Sequence, residues 1–307
     1  MPLLSYLTDN FGIIFAGKAE TTGGTITEVG SDIVHTFSSS EPFEVGKDIP
    51  GAQVLLVAGG GGSSGYFGGG GGAGGLRFFP SVPFTKGSYS MSVGGPSTPS
   101  SLQYNGGTYS ATRGGYGEAD DSTGQPGGSG GGGSDGGGAG SGNSGGYSPP
   151  EGNPGAGTPG NDYGGAGGGG HGGGASGKTG GSGTSYSISG SSLAYAGGGG
   201  GAGRGQRGAG CGSGGSGVGG NGTFNGGYSC GPQSAVNGRG GTTSTIDSGN
   251  YTWGQDGLKG GNSPAGAGGA GGGTGGQAFP WGTSPGLQVQ NAFTNSRRKT
   301  LSGEEIS

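Results

Sequence analysis

The first fifth of the chain alternates between short β-favouring runs and clusters of Gly or Ser. Residues 25–29, 32–37 and 42–45 are three such runs, each rich in Thr, Val, Ile or Phe. Side chains two positions apart in a strand share a face, so Ile33, His35 and Phe37 lie together. The pattern predicts a small antiparallel sheet over residues 21–57.

Residues 53–58, QVLLVA, form a continuous apolar run that leads directly into four glycines. A strand with one solvent-facing side alternates apolar and polar residues, whereas a continuous run indicates burial on both faces. We therefore expect another part of the chain to cover the second face of this strand.

From residue 59 onward, glycine runs recur without a fixed period. They span residues 59–62, 68–75, 127–140, 164–174, 197–203, 208–222 and 266–276, separated by segments rich in Tyr, Phe, Ser, Thr and Asn. The chain has 97 glycines among 307 residues but only 16 prolines, and without glycine at every third position it is no collagen. With 26% hydrophobic and 10% charged residues, it is also unlike an enzyme built around a large apolar core.

Such glycine runs have two physical outcomes. Ordering glycine costs more backbone entropy than ordering any other residue, which favours disorder. The ordered alternative is a bundle of polyglycine II helices, whose amides bond to neighbouring helices because the helix has no internal hydrogen bonds. We predict the second outcome: a mainly β or irregular fold with short N-terminal antiparallel strands, a polyglycine II bundle with long loops over residues 58–277, a C-terminal tail over 278–307, and little α-helix.

The strings VLLVAGGGG (residues 54–62), GGGGGAGGL (68–76) and FTKGSYSMSVGG (84–95) resemble the glycine-rich domain of tailed-phage fibre proteins and adhesins. The resemblance spans about residues 25–277. It implies a buried strand that leads into packed polyglycine II helices, with variable loops that touch the host surface. Members of that family often close with a β-strand after the last glycine run. Here the candidate for that strand is residues 287–290, followed by a polar tail from residue 291.

Charge and apolar pattern limit the partners. The net charge of −4 lacks the basic excess that nucleic acid binding requires. The apolar run at residues 54–58 is too short to cross a membrane, and residues 1–20 lack the basic start of a secretory signal. Cys211 and Cys230 allow one disulfide or two free thiols. We expect neither nucleic acid binding nor membrane insertion.

Several sequence patterns known from catalytic or binding sites occur in the chain. A chain so rich in glycine is expected to match such patterns by chance. Gly172, Gly177, Lys178 and Thr179 match a phosphate-binding loop but lack a flanking strand and helix, and four scattered arginines (Arg113, Arg204, Arg207 and Arg239) are too few for an RNA-binding tract. We predict that His35 is a packed strand residue and that His171 projects from a glycine run. Glu118, Asp120 and Asp121 read as a solvated loop. We therefore expect no enzyme, cofactor or metal site.

Aromatic residues at the margins of the glycine runs are the better functional feature, because Tyr and Trp offer large contact area at low entropic cost. They either bind a receptor or cap the bundle. The candidates are Tyr147, Tyr163, Tyr186, Tyr195, Phe224, Tyr228, Tyr251, Trp253 and Trp281.

These features favour a phage virion fibre or adhesin that binds a host surface glycan or outer-membrane protein and is assembled in the host cytoplasm. The alternatives are a structural virion part, such as a head fibre or capsid decoration protein, and an ice-binding protein. Residues 1–20 are expected to attach the chain to other virion proteins or to further copies, for example in a trimer. Their apolar residues are Leu3, Leu4, Leu7, Phe11, Ile13, Ile14 and Phe15.

Overall fold

The computed structural model describes residues 20–64, 68–158, 164–202 and 214–215, and the backbone of residues 291–295. Within these ranges the secondary structure consists of strands and contains no helix, which confirms the prediction of a mainly β fold with little α-helix. The strands are β1 (Thr21–Thr22), β2 (Thr25–Val29), β3 (Asp32–Phe37), β4 (Glu41–Val45), β5 (Ile49–Val57), β6 (Leu76–Phe84), β7 (Gly87–Ser92), β8 (Ser100–Tyr104), β9 (Gly107–Ala111), β10 (Thr184–Tyr186), β11 (Leu193–Tyr195) and β12 (Asn291–Asn295).

Ten of these strands form two antiparallel five-stranded sheets. Sheet 1 has the order β1-β4-β7-β8-β9, and sheet 2 has the order β2-β3-β12-β5-β6. β10 and β11 form a separate antiparallel hairpin.

The main hydrophobic core contains buried residues from both sheets. β7 illustrates how a strand contributes to this core. Its Tyr89 and Met91 are buried while Ser88 and Ser90 are exposed, which is the alternation of a half-buried strand. Aromatic rings fill much of this core edge to face. The ring centroids of Phe43 and Phe84 lie 5.4 Å apart, and those of Phe84 and Tyr89 lie 4.9 Å apart.

The continuous apolar run in β5 is buried on both faces, as its pattern predicts. Val54 and Leu56 belong to the core between the sheets, whereas Leu55 and Val57 belong to a second apolar cluster. Ile188 and Ala196 belong to that second cluster, and Tyr186 and Tyr195 of the β10–β11 hairpin pack against it. The expected cover is therefore this hairpin, which follows several glycine runs later in the chain.

The strands extend beyond Val57, into the region for which the sequence analysis predicts glycine helices and irregular loops. β6, β7, β8 and β9 all lie there and contribute strands to both sheets. The average glycine content of the region hides them, because residues 76–111 carry the aromatic and alternating pattern of strands between two glycine runs.

The C-terminal strand also differs from the expectation of a polar tail. β12 lies in the middle of sheet 2 and pairs antiparallel with both β3 and β5. Its sequence, NAFTN, is a weak strand signal, and pairing on both sides overrides that weak propensity. The candidate closing strand at residues 287–290 lies outside the described residues.

Glycine-rich segments between the strands bond to one another through their backbones in a repeat of three residues. The amides of Gly69, Gly72 and Gly75 donate to the carbonyls of Glu118, Gly115 and Thr112 at 2.8–2.9 Å. The intervening Gly70 and Ala73 donate instead to a different segment, at the carbonyls of Ala166 and Gly169. Segment 128–133 shows the same repeat: Ser129 and Gly132 bond to residues 73 and 70, while Gly130 and Gly133 bond to residues 153 and 156.

These bonds define two ends of the glycine-rich region. At the near end, next to the sheets, the amide of Gly75 donates to Thr112 and that of Leu76 donates to Glu151. At the far end, six residues along the same segments, Gly69 pairs with Glu118. The turns at residues 119–123 and 135–136 lie at this far end, where Ser134 pairs with Ser122, and Asp135 with Gly164.

Candidate recognition surface

Tyr147, a predicted receptor contact, lies at the near end and packs against the sheets. Its hydroxyl is 2.8 Å from Ser110 Oγ, and the Arg77 guanidinium stacks on its ring at 3.8 Å from the centroid. Arg77 Nη1 in turn donates a hydrogen bond to the Ser110 carbonyl at 2.9 Å. The half-buried Tyr147 therefore ties the loop over residues 143–151 to β6 and β9.

Tyr186 and Tyr195 occupy the β10–β11 hairpin and are also half-buried. The Tyr186 ring lies 4.9 Å from the ring of Phe78, and burial raises the pKa of its hydroxyl. The positions of the three described candidates, Tyr147, Tyr186 and Tyr195, favour a packing role over display. The other aromatic candidates lie outside the described residues: Tyr163, Phe224, Tyr228, Tyr251, Trp253 and Trp281. So do the apolar residues of segment 1–20 and both Cys211 and Cys230.

Glu151 is a structural residue that the sequence analysis misses. It is fully buried, and its carboxylate accepts hydrogen bonds from the amides of Thr112 at 2.7 Å and Gly145 at 3.1 Å. Its backbone carbonyl accepts the amide of Leu76. Glu151 thus joins the near-end loop to the end of β9 and the start of β6. Its sequence context, a glutamate after two prolines, carries no signal for such a role.

The two histidines are packed and hydrogen-bonded. His35 is buried; its Nδ1 lies 2.8 Å from the Gly23 carbonyl and its Nε2 lies 2.8 Å from Thr21 Oγ1. Because the carbonyl only accepts, Nδ1 carries the proton in the neutral ring. Burial lowers the pKa of His35, and it lowers the pKa of His171 as well. The half-buried His171 contacts Thr184 Oγ1 at 2.7 Å, so it packs on the hairpin rather than projecting freely as expected.

The remaining sequence patterns fall on turns and glycine segments. Residues 176–179 of the phosphate-loop pattern form a tight turn in which Ser176 and Thr179 pair with each other. Glu118 accepts a hydrogen bond from Gln125 Nε2, and Arg113 lies over the ring of Tyr116 at 5.5 Å. Arg204, Arg207 and Arg239 lie outside the described residues. Across the described ranges, no group of three or more His, Cys, Asp or Glu side chains is placed to hold a metal ion.

The turns at residues 119–123 and 135–136 connect glycine-rich segments at the far end, six residues along segment 69–75 from the near end. Asp120 and Asp121 are exposed in the 119–123 turn, and both have positive φ angles, of 52° and 56°. Such left-handed positions are tolerated by Asp in turns. Glu118, Asp120, Asp121 and Asp135 give this end an acidic character, to which Lys178 adds a cation close to Gly164.

Comparison with known proteins adds no assignment. No family model matches the chain, and no curated protein or solved structure matches it either. Among the described residues, no helix has the length and apolar character needed to span a membrane.

Proposed function

We propose that this chain is a phage virion fibre or adhesin component, in which a polyglycine II bundle holds loops that recognise a host cell surface. The bundle is the scaffold, the two sheets are its base, and the loops at the far end are the contact region. The observation that carries this proposal is the three-residue repeat of backbone hydrogen bonds between glycine segments.

The repeat supports polyglycine II geometry because that helix has three residues per turn and no internal hydrogen bonds. Successive amides then point in three directions. In segment 68–75, two of these directions meet other segments through the amides, and the Gly71 carbonyl accepts the amide of Gly199. Segment 68–75 is bonded in this way to the segments around residues 58–61, 112–118, 129–132, 166–169 and 199–202. Only residues without bulky side chains allow so many backbones to approach at once.

The same geometry supports display at a distance. From Gly75 to Gly69 the rise is six residues, or about 19 Å at about 3.1 Å per residue. A rigid scaffold that carries variable turns at one end is the usual arrangement of binding loops, since ordered anchors lower the entropic cost of recognition. The proposed ligands are a host surface glycan or an outer-membrane protein. The aromatic residues proposed to bind them include Tyr251 and Trp253, which lie outside the described residues. The proposed attachment to other virion proteins uses segment 1–20.

Immunogold labelling tests the proposal. Antibodies raised against the purified chain are applied to virions from the source of this sequence, and the same antibodies are tested for inhibition of adsorption. A fibre or adhesin predicts gold on a fibre or at the tail, together with reduced adsorption. Gold over the capsid with normal adsorption would indicate a decoration protein instead, and unlabelled virions would refute both.

A further inference from the structure

One side of segment 112–118 makes no amide hydrogen bond to another segment. Amides on a first side donate to segment 129–132, and amides on a second side donate to segment 59–62. The third side carries Arg113 and Tyr116, whose amides donate to no backbone carbonyl among the described residues. Residues three apart share a side in a helix with three residues per turn. Arg113 and Tyr116, both half-buried, therefore stand together at the surface of the glycine-rich region.

The contact between Arg113 and Tyr116 is loose. The guanidinium lies 5.5 Å from the ring centroid, close to the limit of about 6 Å for such a pair. It donates one long hydrogen bond, 3.2 Å to the Gly114 carbonyl, and no carboxylate pairs with it among the described residues. Arg77, by contrast, stacks on Tyr147 at 3.8 Å. Arg77 is thus held by packing, whereas Arg113 retains N–H donors for another partner.

Gln125 and Glu118 lie beside this pair. The backbone amide of Gln125 donates to the Tyr116 carbonyl at 2.8 Å, and its Nε2 donates to Glu118 Oε1 at 2.6 Å. Both side chains are half-buried. Their mutual hydrogen bond orients them and leaves Gln125 Oε1 and Glu118 Oε2 as acceptors. An aromatic ring, a guanidinium and two oriented acceptors therefore meet in one cluster toward the far end.

We propose that this cluster binds a neutral saccharide. A sugar ring has apolar C–H surfaces and a rim of hydroxyls, so it needs an apolar contact flanked by donors and acceptors. The Tyr116 ring supplies the apolar contact, and its hydroxyl makes no hydrogen bond within the described ranges. Arg113 donates to sugar hydroxyls, while Gln125 and Glu118 accept from them. A few placed polar groups around an aromatic surface are the usual composition of a small-ligand site.

Charge favours a neutral sugar over an acidic one. The cluster holds one cation, Arg113, and one carboxylate, Glu118. Asp120 and Asp121 are exposed in the turn that follows. An acidic sugar would therefore face three carboxylates and a single guanidinium, and such like-charge juxtaposition opposes binding. The inference rests on the proposed recognition of a host surface glycan and names the class of glycan and a contact for it within the described residues.

Saturation-transfer NMR with the purified full chain tests the site. The probes are short oligosaccharides of glucose, mannose or galactose, and an oligosaccharide of galacturonic acid is the acidic comparison. We expect saturation of the sugar ring protons for at least one neutral probe and weaker binding of the acidic one. Tyr116→Ala should weaken binding at least about tenfold, as loss of a central aromatic contact commonly does. Tyr116→Phe keeps the ring and should stay within about threefold, since it removes at most one hydrogen bond.

The two arginine–tyrosine pairs supply a matched control. Arg113→Gln should weaken saccharide binding at least about threefold and leave the Tm nearly unchanged, because it removes a charged donor from a loose contact. Arg77→Gln should lower the Tm and leave the affinity unchanged, because Arg77 is tied to Ser110 and Tyr147. If Tyr116→Ala fails to fold, this arginine comparison decides.

Three results would each overturn the site: no binding of any neutral probe, equal or tighter binding of the acidic probe, or binding that Tyr116→Ala and Arg113→Gln leave unchanged. Immunogold labelling decides the proposed function separately. Labelled virions without saccharide binding would overturn this site alone. Saccharide binding lost in the Tyr116 and Arg113 variants, together with unlabelled virions, would support the site and refute the virion function.

Discussion

At the scale of single residues, the glycine-rich region depends on close approach between backbones. A Cβ atom built on Gly71 would stand 2.0 Å from the Gly61 carbonyl oxygen, and one on Gly130 would stand 2.0 Å from that of Gly140. Real Cβ atoms do not approach a carbonyl so closely, so a segment must move. Gly95, by contrast, has nothing within 4 Å of its Cβ position. The need for glycine is therefore specific to positions inside the packed segments.

Gly71→Ala should lower the free energy of unfolding by about 3 kcal/mol or more, since overpacking typically costs about 1–3 kcal/mol and here the obstacle is backbone. Gly95→Ala is the matched control and should leave stability unchanged or raise it by up to about 1 kcal/mol, through the entropy of the unfolded chain. Urea denaturation of both variants measures the difference. Equal effects at the two positions would show that the segments around Gly71 are not packed as described.

His35 makes a second prediction at this scale, concerning pH. Its pKa in the folded chain is below its ordinary value of 6.5 because burial disfavours the charged ring. As the pH falls through 6.5, the unfolded chain therefore binds a proton before the folded chain does, and stability is lost on acidification. His171 acts in the same direction.

His35→Gln should flatten the fall in stability between pH 7 and pH 5, because one of the two groups is removed. Thermal unfolding across this range measures the slope for the native chain and the variant. Measurements at pH 8, where both histidines are neutral, give the separate cost of the lost hydrogen bonds to Thr21 and Gly23. A slope that His35→Gln leaves unchanged would contradict the assignment.

At the scale of elements, the sequence predicts what its periodicity encodes and misses what depends on partners far along the chain. The burial of β5 on both faces follows from six consecutive residues, and it is confirmed. β12 is missed because its five mostly polar residues become a strand only between β3 and β5, which precede it by more than 230 residues. Glu151 is missed because its burial depends on the amides of Thr112 and Gly145, which no local pattern brings together.

Removing β12 should disrupt sheet 2, because β3 and β5 would lose their shared neighbour. A chain that stops after Gln290 loses nine residue pairs, five with β3 and four with β5. At about one hydrogen bond per residue pair and about 0.5–1.5 kcal/mol per bond, the cost is at least about 5 kcal/mol, comparable to the stability of many domains. A chain that stops after Arg298 keeps the strand and is the control. Limited proteolysis and thermal unfolding compare the two, and equal stability would exclude a central role for β12.

At the scale of the whole molecule, the glycine-rich region has two unlike ends. At the near end, Tyr147, Glu151 and His171 are packed or hydrogen-bonded against the sheets or the hairpin. At the far end, the 119–123 turn carries the exposed Asp120 and Asp121. Asp135 and Glu118 at the far end also make side-chain hydrogen bonds, to the Gly164 amide and to Gln125. The asymmetry therefore concerns the exposed tip of the 119–123 turn, where a change should cost the scaffold less than one at Glu151.

An epitope tag of about ten residues, inserted at each end in turn, tests this asymmetry. Between Asp120 and Asp121 the tag should leave the Tm nearly unchanged, because exposed turns tolerate insertion. Between Ser144 and Gly145 it should lower the Tm clearly, because the Gly145 amide donates to the buried Glu151 carboxylate and its displacement leaves that group short of a partner.

If the far end faces the host, an antibody against the far-end tag should also block adsorption of virions that carry the tagged chain. Equal loss of stability at both sites would contradict the asymmetry, whereas a stable far-end variant that adsorbs normally with antibody bound would place the host contact elsewhere on the molecule.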